Sequence, residues 1–311
     1  MDNLLLVDIG GTNMRTAVAN TSKDKISEIE KSSFDPDNFD SFLEKLINKH
    51  DSNVLILSVA GPKINNVISM TNQEYTFDPI KIKDKFSLKE CFLLNDWEAI
   101  AYSYDYIKDS VEYIKKGEPF NQNRLFVGPG TGLGAALSIN NQTVLPTEIG
   151  NTTNASSLLQ KNFNLSSEDN LNLEKIISGT AIASIYNLKT GNTISSEEIF
   201  EKFIKNDADA VFVIDGFLMS LAETLSDLSL TYSSGNGILL AGSLIRSLYP
   251  YIDKKVFIEN FMANKYQSHK KMLELVSIGV ITKERTPLYG NLGFYKNCLL
   301  YTSPSPRDGQ I

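Results

Sequence analysis

Residues 4–7 form an apolar run that meets Asp8, Gly10, Gly11, Thr12 and Asn13, and the chain turns apolar again over residues 16–19. The intervening turn formers are too few for a crossover, so the pattern predicts a β-hairpin. Both the dinucleotide-binding fingerprint and the Walker loop need a helix directly after their glycines, and neither motif is complete. Phe39, Phe42, Leu43, Leu46 and Ile47 recur at helical spacing and predict an amphipathic helix over about 37–50, followed by a buried strand over 54–59. Lys63, Ile64, Asn65 and Asn66 predict the turn of a second hairpin, whose return strand runs into 69–72. Residues 91–102 read as a buried strand that ends at Asn95 and Asp96 as a helix begins, which puts Asp96 at the carboxyl end of a strand, where open α/β sheets bind ligands.

Beyond a polar, linker-like stretch over 113–123, the pattern restarts. Residues 124–139 (RLFVGPGTGLGAALSI) are again an apolar strand, a glycine-rich turn and an apolar strand. Two similar α/β halves facing a shared cleft are therefore expected. Within the second half, 209–232 predicts a long, mostly apolar helix. Residues 237–245 predict a buried strand that enters a helix through Gly242 and Ser243. The last stretch, 298–311 (CLLYTSPSPRDGQI), changes composition abruptly, with two Ser-Pro steps and no amphipathic period. It resembles translated adapter sequence and is set apart as a non-native or disordered tail.

The bulk numbers narrow the partners. A chain of 311 residues, 42% hydrophobic, can bury two cores. Its formal charge of -7 argues against a broad nucleic-acid footprint and for a small soluble partner. Two cysteines, Cys91 and Cys298, make neither a disulfide framework nor a four-thiolate zinc site. With no signal peptide at Met1 and no apolar stretch long enough for a bilayer, the chain reads as cytoplasmic, without a membrane partner.

The turns carry the candidate chemistry. A Gly-Gly-Thr hairpin exposes backbone N–H groups suited to phosphate oxygens. Asp8 beside it would repel phosphate unless a cation intervenes, so it implies Mg2+, held directly or through water; a plain hairpin with a surface Asp is the competing reading. Gly130, Thr131 and Gly132, in GPGTGLG, form a second candidate phosphate loop, against the alternative of a flexible interdomain loop. Asp96 is placed to accept a proton from a substrate hydroxyl, or else simply caps the following helix. Glu148 and Glu174, near glycine-containing turns, suit hydrogen bonds from vicinal hydroxyls. His50 and His269 sit in polar, Lys-flanked contexts that favour surface roles.

Taken together, LVDIGGTNMR, LLNDWEAI, GPGTGLGAA, LPTEIGN, LEKIISG and ILLAGSLI resemble, in order and spacing, the bacterial glucokinase family of the actin-like ATPase and sugar kinase superfamily, over nearly all of residues 4–294. The resemblance implies two ribonuclease-H-like α/β domains flanking a cleft: a small one over 1–103, with the chain returning near 286–297, and a large one over 104–285. It implies transfer of the ATP γ-phosphate to the 6-hydroxyl of glucose, with Mg2+, and it allows a homodimer. Asp96 matches the catalytic base. Asn95, Asp96, Glu148 and Glu174 would hold the sugar, with Asn151 in the pocket. Asp8, Gly10, Gly11, Thr12 and Asn13 would form one phosphate loop and Gly130, Thr131 and Gly132 the other, while Gly237 and Gly242 would border the adenosine. A related repressor and sugar-kinase family with a Cys-rich zinc motif matches less well, because Cys91 and Cys298 are far apart.

Three departures from the family pattern stand out. Ile149-Gly150-Asn151 replaces Gly-Gly-His, so Asn151 stands where a sugar-contacting His is expected, which bears on hexose identity. Gly242-Ser243 replaces paired glycines, which bears on nucleotide affinity. The family's last helix begins at 287–297 and runs into the foreign-looking tail, which bears on stability. A kinase for another hexose or an amino sugar, or a non-catalytic sugar-binding protein, are the competing functional readings.

Overall fold

The computed structural model describes residues 2–11, 13–22, 25–70, 75–153, 156–165 and 171–302. The chain divides into two compact units, one up to Asp109 and again from Lys283, the other over Ser110–Thr282.

The first unit begins β1 (Asn3–Ile9), β2 (Asn13–Asn20), β3 (Ile26–Ser33), α1 (Phe39–His50) and β4 (Val54–Val59). The small strands β5 (Lys63–Ile64), β6 (Val67–Ser69) and β7 (Thr76–Phe77) follow, then α2 (Pro79–Lys85), β8 (Glu90–Asn95), α3 (Asp96–Tyr102) and α4 (Tyr104–Ile107). Its main sheet has the order β3-β2-β1-β4-β8, with β1–β2–β3 antiparallel and β1, β4 and β8 parallel.

The second unit holds β9 (Val111–Lys115), β10 (Arg124–Pro129), β11 (Leu133–Ile139), β12 (Thr143–Thr147), α5 (Ser156–Leu159), α6 (Gly179–Thr190), α7 (Ser196–Ile204) and α8 (Ala208–Tyr232). It continues with β13 (Ile238–Leu240), α9 (Ser243–Leu248), α10 (Lys254–Met262), α11 (Gln267–Glu274) and β14 (Ile278–Ile281), before α12 (Thr286–Thr302) rejoins the first unit. Its sheet, β12-β11-β10-β13-β14-β9, repeats the first unit's plan of three antiparallel strands followed by parallel ones, with β9 added antiparallel at the edge.

Period-two alternation explains why β1 and β4 sit centrally. Leu5, Val7, Leu55 and Leu57 face one buried layer with Phe39 and Leu43 of α1. Leu4, Leu6, Val54 and Ile56 face the other, with Leu288 and Leu292 of α12. Strands covered on both sides read as continuous apolar runs, as VLILSV does. In the second unit, Leu125, Val127, Ile238 and Leu240 pack with Phe217 and Leu221 of the long helix α8.

Several expectations are revised. Residues 113–123 are not all linker, since β9 pairs Tyr113 with Gly279. Its polar look follows from its edge position, where Ile114 is the buried residue. The second hairpin turns on Asn65 and Asn66, both left-handed, with Lys63 and Ile64 already in strand; residues 71 and 72 lie outside the described residues. The division between units falls after Asp109 rather than 103, because Tyr106 packs against Tyr289 of α12 and its carbonyl accepts a bond from Lys283. Helix α12 runs to Thr302, which does not contradict the foreign composition of 298–311, and residues 303–311 lie outside the described residues. Among the described residues, no helix is long and apolar enough to cross a membrane.

Candidate active site

Asp8 is the penultimate residue of β1, 5% exposed. Strand register brings it two partners. Arg15 lies opposite on β2, its guanidinium 3.2 Å from Asp8 Oδ2, and Ser58 lies opposite on β4, its Oγ 3.4 Å from Asp8 Oδ1. Burial pushes the Asp8 carboxyl above the ordinary value, opposed by Arg15 and the Ser58 hydroxyl. The hairpin turn closes with Gly10 N–H donating to Asn13 O at 2.9 Å. Gly11 is exposed at its tip, and Thr12 lies outside the described residues.

The register also levels the strand ends. Ile9 lies opposite Val59, and Val59 opposite Asn95, so Asp8 and Asp96 leave one edge of the sheet. Two strand spacings across the sheet and two residues along it, since Asp8 is level with Leu94, separate them, about 12 Å. Asn95, not Asp96, is the cap of α3. Its Oδ1 accepts from Trp97 N and Glu98 N, and its backbone N–H returns a bond to Glu98 Oε2. Its Nδ2 donates to Gly61 O at 2.8 Å, which leaves one amide hydrogen beyond the capping network for a ligand. Lys63 anchors this corner, donating to Leu93 O and pairing with Glu98 at 3.1 Å. Asp96 is half-buried at the first helical position, its Oδ1 3.0 Å from Trp97 N, so the cap's geometry fixes where its carboxylate stands.

In the second unit, the Gly130–Gly132 turn is bound by its carbonyls. Gly179 N donates to Gly130 O at 2.7 Å, and Thr180 Oγ1 donates to Thr131 O. In a trans peptide the N–H points opposite the carbonyl, so the amides of Thr131 and Gly132 face away from the start of α6. This is the arrangement a phosphate cradle needs. Glu174 lies beside the turn, and a methyl added at Gly132 would stand 2.6 Å from Glu174 Oε2. Asn172 Nδ2 reaches both Asn151 Oδ1 (3.3 Å) and Glu174 Oε1 (3.5 Å). Asn151 N donates to Glu148 O at 3.1 Å, and the Glu148 carboxyl is raised chiefly by desolvation, with the Asn151 side chain opposing the rise and Glu174 adding to it. Glu148, Asn151 and Glu174 thus form one cluster.

Gly242 has φ +117 and precedes α9, close to Pro129 O at the end of β10, so it lies with the second loop. Gly237 does not. It precedes β13 at the opposite strand end, beside Ser277, where its φ of +102 serves the turn. Sequence reasoning missed Arg15, Ser58, Lys63 and Asn172. The first was legible, because a turn over residues 10–13 pairs Asp8 with Arg15 by counting; the others need the sheet register or the folded loop.

Among the described residues, no group of three or more His, Cys, Asp or Glu side chains could hold a metal ion unaided. One buried carboxylate beside a glycine-containing turn does fit Mg2+, which keeps several waters and takes its remaining ligands from a phosphate where one is bound.

A family model described as glucokinase matches residues 5–297. A glucokinase from Mesorhizobium japonicum is 25% identical over 96% of this chain and 93% of its own length. Among solved structures, a glucokinase from an Antarctic psychrotroph superposes with a TM-score of 0.77 at 24% identity, over 96% of this chain and 99% of that one. The glucokinase of Balamuthia mandrillaris, solved with glucose, gives 0.74 at 17% identity, over 94% and 93%. These neighbours share the actin-like ATPase fold that the repeated sheet plan displays.

Proposed function

The chain belongs to the glucokinase family and is a hexose kinase, and from that premise we propose that it transfers the γ-phosphoryl group of ATP to the 6-hydroxyl of glucose. The observation that carries this reading is the common sheet edge from which Asp8 and Asp96 both emerge, about 12 Å apart by strand register, which suits a phosphate held at one end and a hydroxyl activated at the other.

In this reading Asp96 accepts the proton of the 6-hydroxyl as that oxygen bonds to the γ-phosphorus and the bond to the ADP oxygen breaks. Asn95 holds the strand-to-helix corner and offers its remaining amide hydrogen to the sugar. Glu148 and Glu174 accept hydrogen bonds from sugar hydroxyls. The amides of residues 131 and 132, with the turn after Asp8, receive phosphate oxygens. Asp8 would hold Mg2+, which when bound neutralises charge on the transferring phosphates. Arg15 stabilises the Asp8 carboxylate in its buried position.

A second acceptor class is favoured by one observation. Glu174 repels charge on Glu148, and an ammonium group nearby would relieve that repulsion, so an amino sugar is the alternative to glucose. A coupled ADP-release assay across glucose, mannose, fructose and glucosamine tests both. Highest kcat/KM with glucose is expected, and a clear preference for glucosamine replaces the leading substrate by the second. Asp96→Asn should keep hexose binding and lose about 10²–10⁴-fold in kcat; near-normal turnover would remove Asp96 from its role.

A further inference from the structure

Asn291, on α12, is 0% exposed in a layer otherwise built from Leu4, Leu6, Ile56, Leu288 and Leu292. Its Nδ2 lies 3.0 Å from Val7 O, 3.3 Å from Ile56 O and 3.3 Å from Ser58 Oγ. Its Oδ1 is buried without a hydrogen-bond partner. A buried amide left half-satisfied is a cost that packing alone does not explain, since an aliphatic side chain would fill the same layer.

The geometry around Ser58 gives the amide a use. The single hydroxyl hydrogen of Ser58 has two acceptors in reach, Val7 O at 3.3 Å and Asp8 Oδ1 at 3.4 Å. Asn291 Nδ2 donates to Val7 O and approaches Ile56 O and the Ser58 oxygen; by taking one of the Val7 carbonyl's two lone pairs it weakens that competing acceptor, which favours the charge-assisted bond from the Ser58 hydroxyl to Asp8 Oδ1. We propose that Asn291 is a positioning residue, which directs the Ser58 hydroxyl onto Asp8 and so fixes the carboxylate assigned to the nucleotide's divalent cation.

Helix α12 is held firmly enough for this. Gly290 and Gly293 let it lie directly on the carbonyls of Ala99 and Tyr102 in α3. Tyr295 Oη donates to Asp2 Oδ2 at 2.8 Å, and Phe294 packs edge-on against Phe92 and Tyr102. The same helix thus supports α3, which begins with Asp96, and reaches the residue opposite Asp8 in the neighbouring strand.

This role rests on the nucleotide reading above, and the test separates the two. Titration calorimetry of MgADP, and of ADP in EDTA, is run on the wild type, Asn291→Leu, Ser58→Ala and the double variant. Hexose affinity is read from the fluorescence of Trp97, the chain's one tryptophan, next to Asp96. Asn291→Leu is expected to fold with an unchanged or higher Tm and to bind MgADP about tenfold more weakly, as loss of a residue supporting a metal ligand does. ADP affinity without the cation and hexose affinity should stay at wild-type values, and the double variant should be no weaker than the worse single one. MgADP affinity within twofold of wild type in Asn291→Leu, or additive losses in the double variant, overturns the positioning role alone. A wild type that binds no MgADP overturns the nucleotide reading together with it. A lower Tm with unchanged MgADP affinity assigns Asn291 to packing and overturns the proposal.

Discussion

Gly132→Ala tests whether the second loop and the Glu148–Asn151–Glu174 cluster, proposed to hold the sugar, act as one unit. A Cβ at Gly132 would stand 2.6 Å from Glu174 Oε2 and 3.7 Å from its Cδ, whereas one at Gly130 meets nothing within 4 Å. The obstructing atom is the end of a flexible side chain, so the fold accommodates the methyl and the carboxylate moves. Restoring ordinary contact needs a shift of about 0.6–1 Å, and displacements near 1 Å at a reacting or binding group cost up to about 10²-fold. A hydrogen bond to a charged group contributes about 1.5–3 kcal/mol, which gives the same range, roughly 10–100-fold in hexose KM. Steady-state kinetics with hexose varied at saturating ATP, alongside a thermal melt, provide the measurement. Gly130→Ala is the control, since its methyl occupies the loop without touching Glu174. The expected result is a raised hexose KM in Gly132→Ala with an unchanged Tm, and no comparable rise in Gly130→Ala. Equal hexose KM values in the two variants would falsify the coupling between Glu174 and the loop.

Two further predictions concern the acid cluster and the closing helix. Because the Glu148 carboxyl is raised above the ordinary 4.5, it takes up a proton at a higher pH than a free glutamate, and hexose affinity should fall as pH drops through that window. The folded state holds this proton more tightly than the unfolded chain, so the group's penalty on folding is relieved, not increased, as pH falls. Hexose KM measured from about pH 8 to 5 should therefore rise without loss of Tm from this group, and Glu148→Gln should flatten the profile. At Gly290 a methyl would fall inside the Ala99 carbonyl, backbone against backbone. Gly290→Ala should cost about 3 kcal/mol, or roughly 6–12 °C in Tm; a melt within about 2 °C of wild type would mean that α12 can slide on α3.

What the sequence made legible follows from where its residues sit. The hairpins around Gly10–Asn13 and Gly130–Gly132, and the buried strand over 54–59, were readable because each couples a continuous apolar run to unambiguous turn residues. Strands β3 and β9 were not read, because ISEIEKSS and VEYIK lie at sheet edges and bury only scattered side chains. Of the site, the carboxylates and glycines could be nominated one by one. Their supports could not, since Ser58 reaches Asp8 across 50 residues and Asn291 reaches Val7 across 284. No local pattern encodes such pairs; only the sheet register and the return of α12 create them.

The replacements at Asn151 and Ser243 differ in what the fold asks of them. Asn151 is tied on both sides, its backbone N–H donating to Glu148 O and its Oδ1 accepting from the Asn172 amide. The Asn151 side chain also favours the ionised Glu148 carboxylate, so in the proposed reading its influence on a bound sugar would run through that carboxylate as much as by direct contact. Its substitution is embedded in a local network, and reverting it to His would leave the Asn172 amide with Glu174 as its other acceptor. Ser243, by contrast, is exposed at the first position of α9, and it is Gly242 that carries the left-handed backbone. The backbone therefore needs glycine at 242 and places no such demand on 243. In the proposed reading the serine would affect a nucleotide through its side chain alone, whereas Asn151 would affect the hexose through its neighbours, so substrate preference is expected to depend on a group of residues and not on one.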